Sequence, residues 1–92
     1  MEEQKQDINI KFPDSLIAGS YANMMTVSHT TEEFVMDFML VAPQYGSVVS
    51  RVICSPGHIK RILGALQDNV QRYEKQFGEI RTAKEPNVRI GF

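Results

Sequence analysis

The chain has 92 residues, 42% of them hydrophobic and 23% charged, and its ten basic and eleven acidic residues give a formal net charge of −1. This length allows one small domain with a limited core, and the composition is too apolar for an extensively disordered protein. The near-neutral charge supplies no general attraction to phosphate groups, so binding of nucleic acid would need a local basic patch.

The cellular compartment is indicated by what the sequence lacks. No apolar run is long enough to cross a bilayer, and the polar segment 1–7 has neither the basic region nor the apolar block of a secretory signal. Cys54 is the single cysteine, which excludes an intrachain disulfide and agrees with a reducing compartment. We therefore expect a cytoplasmic protein.

Residues 7–54 have the pattern of an antiparallel sheet that follows a short disordered tail, residues 1–6. Apolar residues alternate with polar ones from Ile8 to Phe12, which predicts a first strand that ends at Pro13. Residues 21–30, 33–42 and 47–54 read as three further strands. Short turns between these three favour an antiparallel meander, with the first strand pairing beside them.

The third of these strands is apolar on both sides. One side carries an unbroken apolar row: Phe34, Met36, Phe38 and Leu40. The other side is also mainly apolar, with only Glu33 and Asp37 between its apolar residues: Val35, Met39 and Val41. Water is an unfavourable neighbour for either side.

Residues 55–78 are predicted to form one long amphipathic helix. Ser55 can cap its start, Pro56 suits the first helical position, and Gly78 can adopt the left-handed conformation that ends many helices. Apolar residues follow at steps of three and four along one side: Ile59, Ile62, Leu63, Leu66, Val70, Tyr73 and Phe77. The predicted fold is a single α+β domain, a four-stranded antiparallel sheet with this helix packed across the row that contains Phe38.

The extension after the helix, residues 79–92, ends in an apolar alternation of Val88, Ile90 and Phe92. Such a segment suits an edge strand, a groove, or the surface of another subunit.

Few residues suggest catalysis. His29 and His58 have no cysteine or carboxylate cluster at metal-ligand spacing around them, so we predict no metal site. Cys54 precedes a helix start that can lower a thiol pKa, but with no clear base beside it we expect a packed, inert thiol. We predict no catalytic residue and no cofactor, and expect that the protein is not an enzyme.

The two carboxylates of the third strand, Glu33 and Asp37, are four residues apart. Their Cα atoms are then about 13 Å apart, too far to share a proton. Asp37 is instead expected to pair with Arg51 across the sheet, or with Asn23 if the strands align suitably, and such charges also discourage aggregation.

Several short fragments together resemble a known family: Tyr21-Ala22-Asn23, Glu33-Phe34-x-x-Asp37-Phe38, Ser55-Pro56 with Lys60, Tyr73-Glu74 and Phe77-Gly78. They are similar to a family of small bacterial and archaeal proteins catalogued as domain of unknown function 3467, over roughly residues 21–80. The resemblance implies a stand-alone protein of that family and brings no known activity. In its order of elements the chain is also similar to the export chaperone SecB, which would imply a dimer or tetramer that holds extended apolar polypeptide.

One helix can cover only one side of the predicted sheet, so we expect a non-enzymatic, homo-oligomeric interaction module, a dimer or tetramer, with a protein or peptide as a possible partner. The candidate interaction residues lie on the second side of the sheet and in the tail: Val35, Asp37, Met39, Val41, Arg51, Val88, Ile90 and Phe92. Two alternatives stay open. One is SecB-like binding of extended apolar polypeptide, and the other is nucleic-acid or regulator binding through the basic residues of the helix: Lys60, Arg61, Arg72 and Lys75.

Overall fold

The computed structural model describes residues 4–92 as a three-stranded sheet followed by a long helix. In chain order the elements are α1 (Asp14–Ile17), β1 (Met24–His29), β2 (Phe34–Ala42), β3 (Tyr45–Cys54) and α2 (Pro56–Phe77). Both strand pairs are antiparallel and β2 is the central strand. The α+β class, the antiparallel sheet and the C-terminal helix are confirmed.

The prediction of a fourth strand near the N-terminus is wrong. Residues 4–13 contain no helix or strand, and the side chains of Ile8 and Ile10 are 72% and 83% exposed. Alternation fixes where side chains point, whereas a strand also needs a neighbouring edge that accepts its hydrogen bonds. Part of the predicted disordered tail, residues 1–3, lies outside the described residues.

Two tight turns connect the strands. Between β1 and β2, the Thr30 amide donates to the Glu33 carbonyl at 2.9 Å, and the Thr30 hydroxyl accepts from the amides of Glu32 and Glu33. Between β2 and β3, Pro43 is followed by Gln44 with φ 65°, the combination that a type II turn requires. Local side-chain chemistry therefore fixes both reversals.

The strand register gives the sheet two different faces, because residues directly opposite in an antiparallel pair share a face. The Asp37 face contains Asp37 opposite Thr26 and Arg51, with these further residues: Met24, Ser28, Val35, Met39, Val41, Val48 and Ile53. The Phe38 face contains the predicted apolar row and the residues opposite it: Met25, Val27, His29, Phe34, Met36, Phe38, Leu40, Ala42, Tyr45, Ser47, Ser50, Val52 and Cys54. β3 has a bulge opposite Phe38 and Met39, where the register shifts by one residue. Both faces follow the observed partners on each side of this bulge.

Helix α2 has the predicted start and end. The Ser55 hydroxyl accepts from the His58 amide at 3.2 Å, and Pro56 occupies the first turn. Gly78 has φ 98°, and its amide donates to the Glu74 carbonyl at 2.9 Å. None of the helix residues is buried.

The predicted packing of this helix on its own sheet is wrong. Within residues 4–92, extensive packing between elements is confined to β1 with β2 and β2 with β3. Ser55 is the single residue between β3 and α2, and Pro56 favours the extended conformation that Ser55 adopts, φ −71° and ψ 157°. Connections from strand to helix usually have two to six residues, so this junction leaves too little chain to reverse over the sheet.

The molecule is consequently extended. Its radius of gyration is 16.9 Å, against about 12 Å expected for a compact domain of this length. No helix within residues 4–92 is both long and apolar enough to span a bilayer.

Candidate interaction surfaces

The centre of the Asp37 face is an ion pair between a buried carboxylate, Asp37, and an exposed guanidinium, Arg51. Arg51 Nε donates to Asp37 Oδ1 at 2.6 Å and Arg51 Nη2 donates to Asp37 Oδ2 at 2.9 Å, a bidentate arrangement with favourable geometry. Asp37 is only 8% exposed, whereas the side chain of Arg51 is 62% exposed. The predicted pairing with Arg51 is confirmed, and it joins β2 to β3 at directly opposite positions of their register.

The alternative pairing of Asp37 with Asn23 is wrong, and the role of Asn23 was missed by sequence reasoning. Its side-chain amide donates to the Val41 carbonyl at 2.8 Å, and its side-chain oxygen accepts from the Val41 amide at 2.9 Å. Asn23 lies directly before β1, so its side chain continues the hydrogen bonding between β1 and β2. A polar amide beside a strand end is the only sequence signal for this.

The ion pair makes stability depend on pH. The hydrogen bond from Arg51 holds the pKa of Asp37 below its ordinary value; burial acts in the opposite direction, and the positive charge of Arg51 adds to the lowering. A carboxylate whose pKa is lower when folded stabilises the fold above its unfolded pKa, about 3.9, and this stabilisation is lost as the pH falls through the folded pKa.

We therefore expect the free energy of unfolding of Asp37→Asn to decrease less steeply than that of the unmodified protein as the pH falls below about 4. Urea unfolding at fixed protein concentration between neutral pH and acid measures this difference. Asp68→Asn is the matched control, because Asp68 pairs with Arg72 on the exposed side of α2 and such pairs contribute little. Parallel pH profiles for the unmodified protein and Asp37→Asn would contradict the assignment.

The C-terminal segment lies beside the hairpin end of the Asp37 face. Val88, Ile90 and Phe92 line an open groove of about 400 Å³ together with Met39 and Val41. The tail is not an edge strand: it forms no strand in the structure. Docking in a groove and packing on another subunit stay predictions, and Phe92 is 87% exposed.

Five of the eight candidate interaction residues share the Asp37 face, and the three tail residues line the groove at its hairpin end: Val35, Asp37, Met39, Val41 and Arg51, with Val88, Ile90 and Phe92. Met39 is only 3% exposed and Asp37 is buried, so these two are unsuited to direct contact with a partner. An interaction role for the set stays a prediction.

Two larger apolar surfaces were not among the candidates. The first is the α2 stripe, the apolar side of the helix (Ile59, Ile62, Leu63, Leu66, Val70, Tyr73 and Phe77), of which Ile59 and Ile62 are half-buried and the others exposed. The second is the Phe38 face, where five large hydrophobic side chains are exposed: Met25, Val27, Leu40, Tyr45 and Val52. Sequence reasoning had assigned these surfaces to each other within one chain, and therefore treated both as covered.

The side chains that could take part in catalysis or metal binding do not form a cluster within residues 4–92. Phe34 lies opposite both His29 and Cys54, so these two residues are on the outer strands, whose backbones are about 9.6 Å apart, with Phe34 between them. The His29 and Phe34 rings stack at 5.3 Å between centroids. Within residues 4–92, no group of three or more metal-ligating side chains is brought together.

These features define a class of small α+β protein, an antiparallel meander followed directly by an exposed amphipathic helix. The chain belongs to the family described as protein of unknown function (DUF3467), whose model matches residues 1–82. The family resemblance is thereby confirmed, and the groove-lining residues Val88, Ile90 and Phe92 lie beyond the match. No curated protein and no solved structure matches the chain, so the similarity to SecB stays a prediction.

Proposed function

We propose that the protein is a non-enzymatic interaction module that acts as a homo-oligomer, with the α2 stripe as its principal contact surface. The observation that carries this proposal is the exposure of the stripe. Leu66 is 60% exposed and Phe77 is 66% exposed, on a helix that packs extensively on none of the strands within residues 4–92. A contiguous apolar surface of this kind is typical of an interface.

The total surface of the chain supports the same proposal. The chain exposes 9187 Å², whereas a compact folded protein of 10.5 kDa exposes about 5,400 Å². Permanent complexes commonly bury about 2,000 to 5,000 Å² in total, so each partner contributes about 1,000 to 2,500 Å². The surface that this chain exposes beyond the compact value is larger than that contribution. A chain with this much uncovered surface gains stability by association.

The stability of α2 itself gives a second reason. In proteins, most of the stability of a helix comes from the packing of its amphipathic face and not from intrinsic helix propensity. Each large apolar side chain that becomes buried contributes about 1.5 to 3 kcal/mol, before the cost of ordering is subtracted. Association that covers the stripe would therefore stabilise the helix as well as join the chains.

Sedimentation equilibrium of the unmodified chain tests the proposal. At micromolar concentration we expect a mass that is a whole multiple, at least two, of the 10.5 kDa of one chain. A monomer throughout that range would contradict the proposal, because the stripe would then be exposed to water in the working protein.

A further inference from the structure

We propose that a second copy of this chain covers the α2 stripe with its Phe38 face, and that the two copies do this reciprocally. Each helix then crosses the sheet of the other copy in place of its own. This inference rests on the proposed self-association and adds which two surfaces meet.

The two surfaces match in chemistry. The strand residues of the Phe38 face include no aspartate, glutamate, lysine or arginine, and its exposed members are mainly apolar. The Asp37 face, in contrast, has the Asp37 and Arg51 ion pair at its centre. An apolar helix side loses least by packing on the face without charges, because buried charges carry a large desolvation cost.

The two surfaces also match in length. With 22 residues, α2 is about 33 Å long, and β2 with nine residues is about 30 Å long. Helix-on-sheet packing of this extent is a standard two-layer arrangement.

Part of the Phe38 face is bordered by the rest of the chain, and part of it is exposed. The C-terminal segment lines a groove at the hairpin end of the sheet, with Met39 and Val41 of the Asp37 face and with Ala42 and Tyr45 of the Phe38 face. On the Phe38 face, Leu16 of α1 and Gly19 of the following loop line a shallow groove with Phe38 and Ser50, near the middle of β2. The helix of a second copy therefore has access to the side chains of Val27 and Val52, which are both exposed.

The junction between β3 and α2 explains why the contact forms between copies. Ser55 is the single connecting residue and Pro56 favours its extended conformation, so α2 is directed away from its own sheet. Short hinges of this kind are known to favour exchange of an element between identical chains.

Lengthening the junction tests the inference. Six glycine and serine residues inserted between Cys54 and Ser55 preserve the helix cap. Loops between strands and helices usually have about two to six residues, so this insertion makes the connection long enough for the chain to reverse over its own sheet. We expect α2 to fold onto its own Phe38 face, so that the mass falls to that of one chain under conditions where the unmodified protein is a dimer. The same insertion after Gly78 is the control, and it should leave the mass unchanged.

The outcomes separate this inference from the proposed function. A lengthened variant that folds, by circular dichroism, and keeps the oligomeric mass of the unmodified chain would overturn the exchange of α2 and leave self-association standing. A monomeric unmodified chain would overturn both.

A cross-linking experiment decides the case in which the lengthened variant does not fold. In a Cys54→Ser background, a chain with Val27→Cys is mixed with a chain with Leu66→Cys and treated with a short bismaleimide. The mixed cross-linked dimer should form in several-fold higher yield than with Gln71→Cys, which lies on the polar side of α2. Equal yields would overturn the inference.

Discussion

Leu66→Glu is expected to convert the assembled protein into monomers. The substitution removes a large apolar side chain from the centre of the α2 stripe and places a carboxylate where the proposed interface excludes water. The lost burial and the desolvation of the charge together cost at least about 3 kcal/mol, which weakens association on the order of 100-fold. Sedimentation equilibrium gives the dissociation constants of the two proteins directly.

The control for this experiment is Gln71→Glu, which adds the same charge to the exposed polar side of the same helix. It should leave the dissociation constant within about twofold, since substitutions of exposed residues usually change a free energy by less than about 0.5 kcal/mol. An oligomeric mass retained by Leu66→Glu, or an equal weakening by both variants, would show that the stripe is not the interface.

Met39→Ala is expected to give the largest loss of stability from a single truncation within the sheet. Met39 is 3% exposed on the central strand, opposite Met24 and Val48, and cross-strand neighbours limit how far such a site can collapse. Truncation of a buried methionine to alanine typically costs about 2 to 5 kcal/mol. Urea unfolding at one fixed protein concentration measures the cost, because association also contributes to apparent stability.

Ile17→Ala is the control for Met39→Ala. Ile17 is 64% exposed, so its truncation should change the free energy of unfolding by less than about 0.5 kcal/mol. A loss at Met39 no larger than the loss at Ile17 would contradict the position of the core.

Local sequence signals predicted the elements that depend on local interactions. Ser55, Pro56 and Gly78 gave the limits of α2 correctly, because capping involves only neighbouring residues. The alternation from Ile8 to Phe12 gave a false strand, because pairing depends on an edge elsewhere in the chain.

The arrangement of α2 on the sheet was mispredicted for a different reason. The amphipathic pattern shows that the helix needs an apolar partner, but it does not show whether that partner belongs to the same chain. The relevant signal was present in the sequence: Ser55 and Pro56 leave almost no connection after Cys54. Pro56 marks the start of α2 and also restricts the direction of α2 relative to β3.

The candidate interaction residues were also predicted only in part. Asp37 and Arg51 were paired correctly because both interrupt apolar strand faces and each is the natural partner of the other. The position of the C-terminal residues Val88 and Ile90 could not be derived, since an apolar alternation fits an edge, a groove or a subunit surface equally well.

The most direct test of the account is the mass of the unmodified chain as a function of its concentration. We predict a dimer or a larger closed assembly at micromolar concentration that dissociates on dilution, with a loss of helical circular dichroism as the α2 stripe is exposed. A mass of 10.5 kDa at every concentration, with the helix fully formed, would contradict the claim that α2 is stabilised by another copy of the chain.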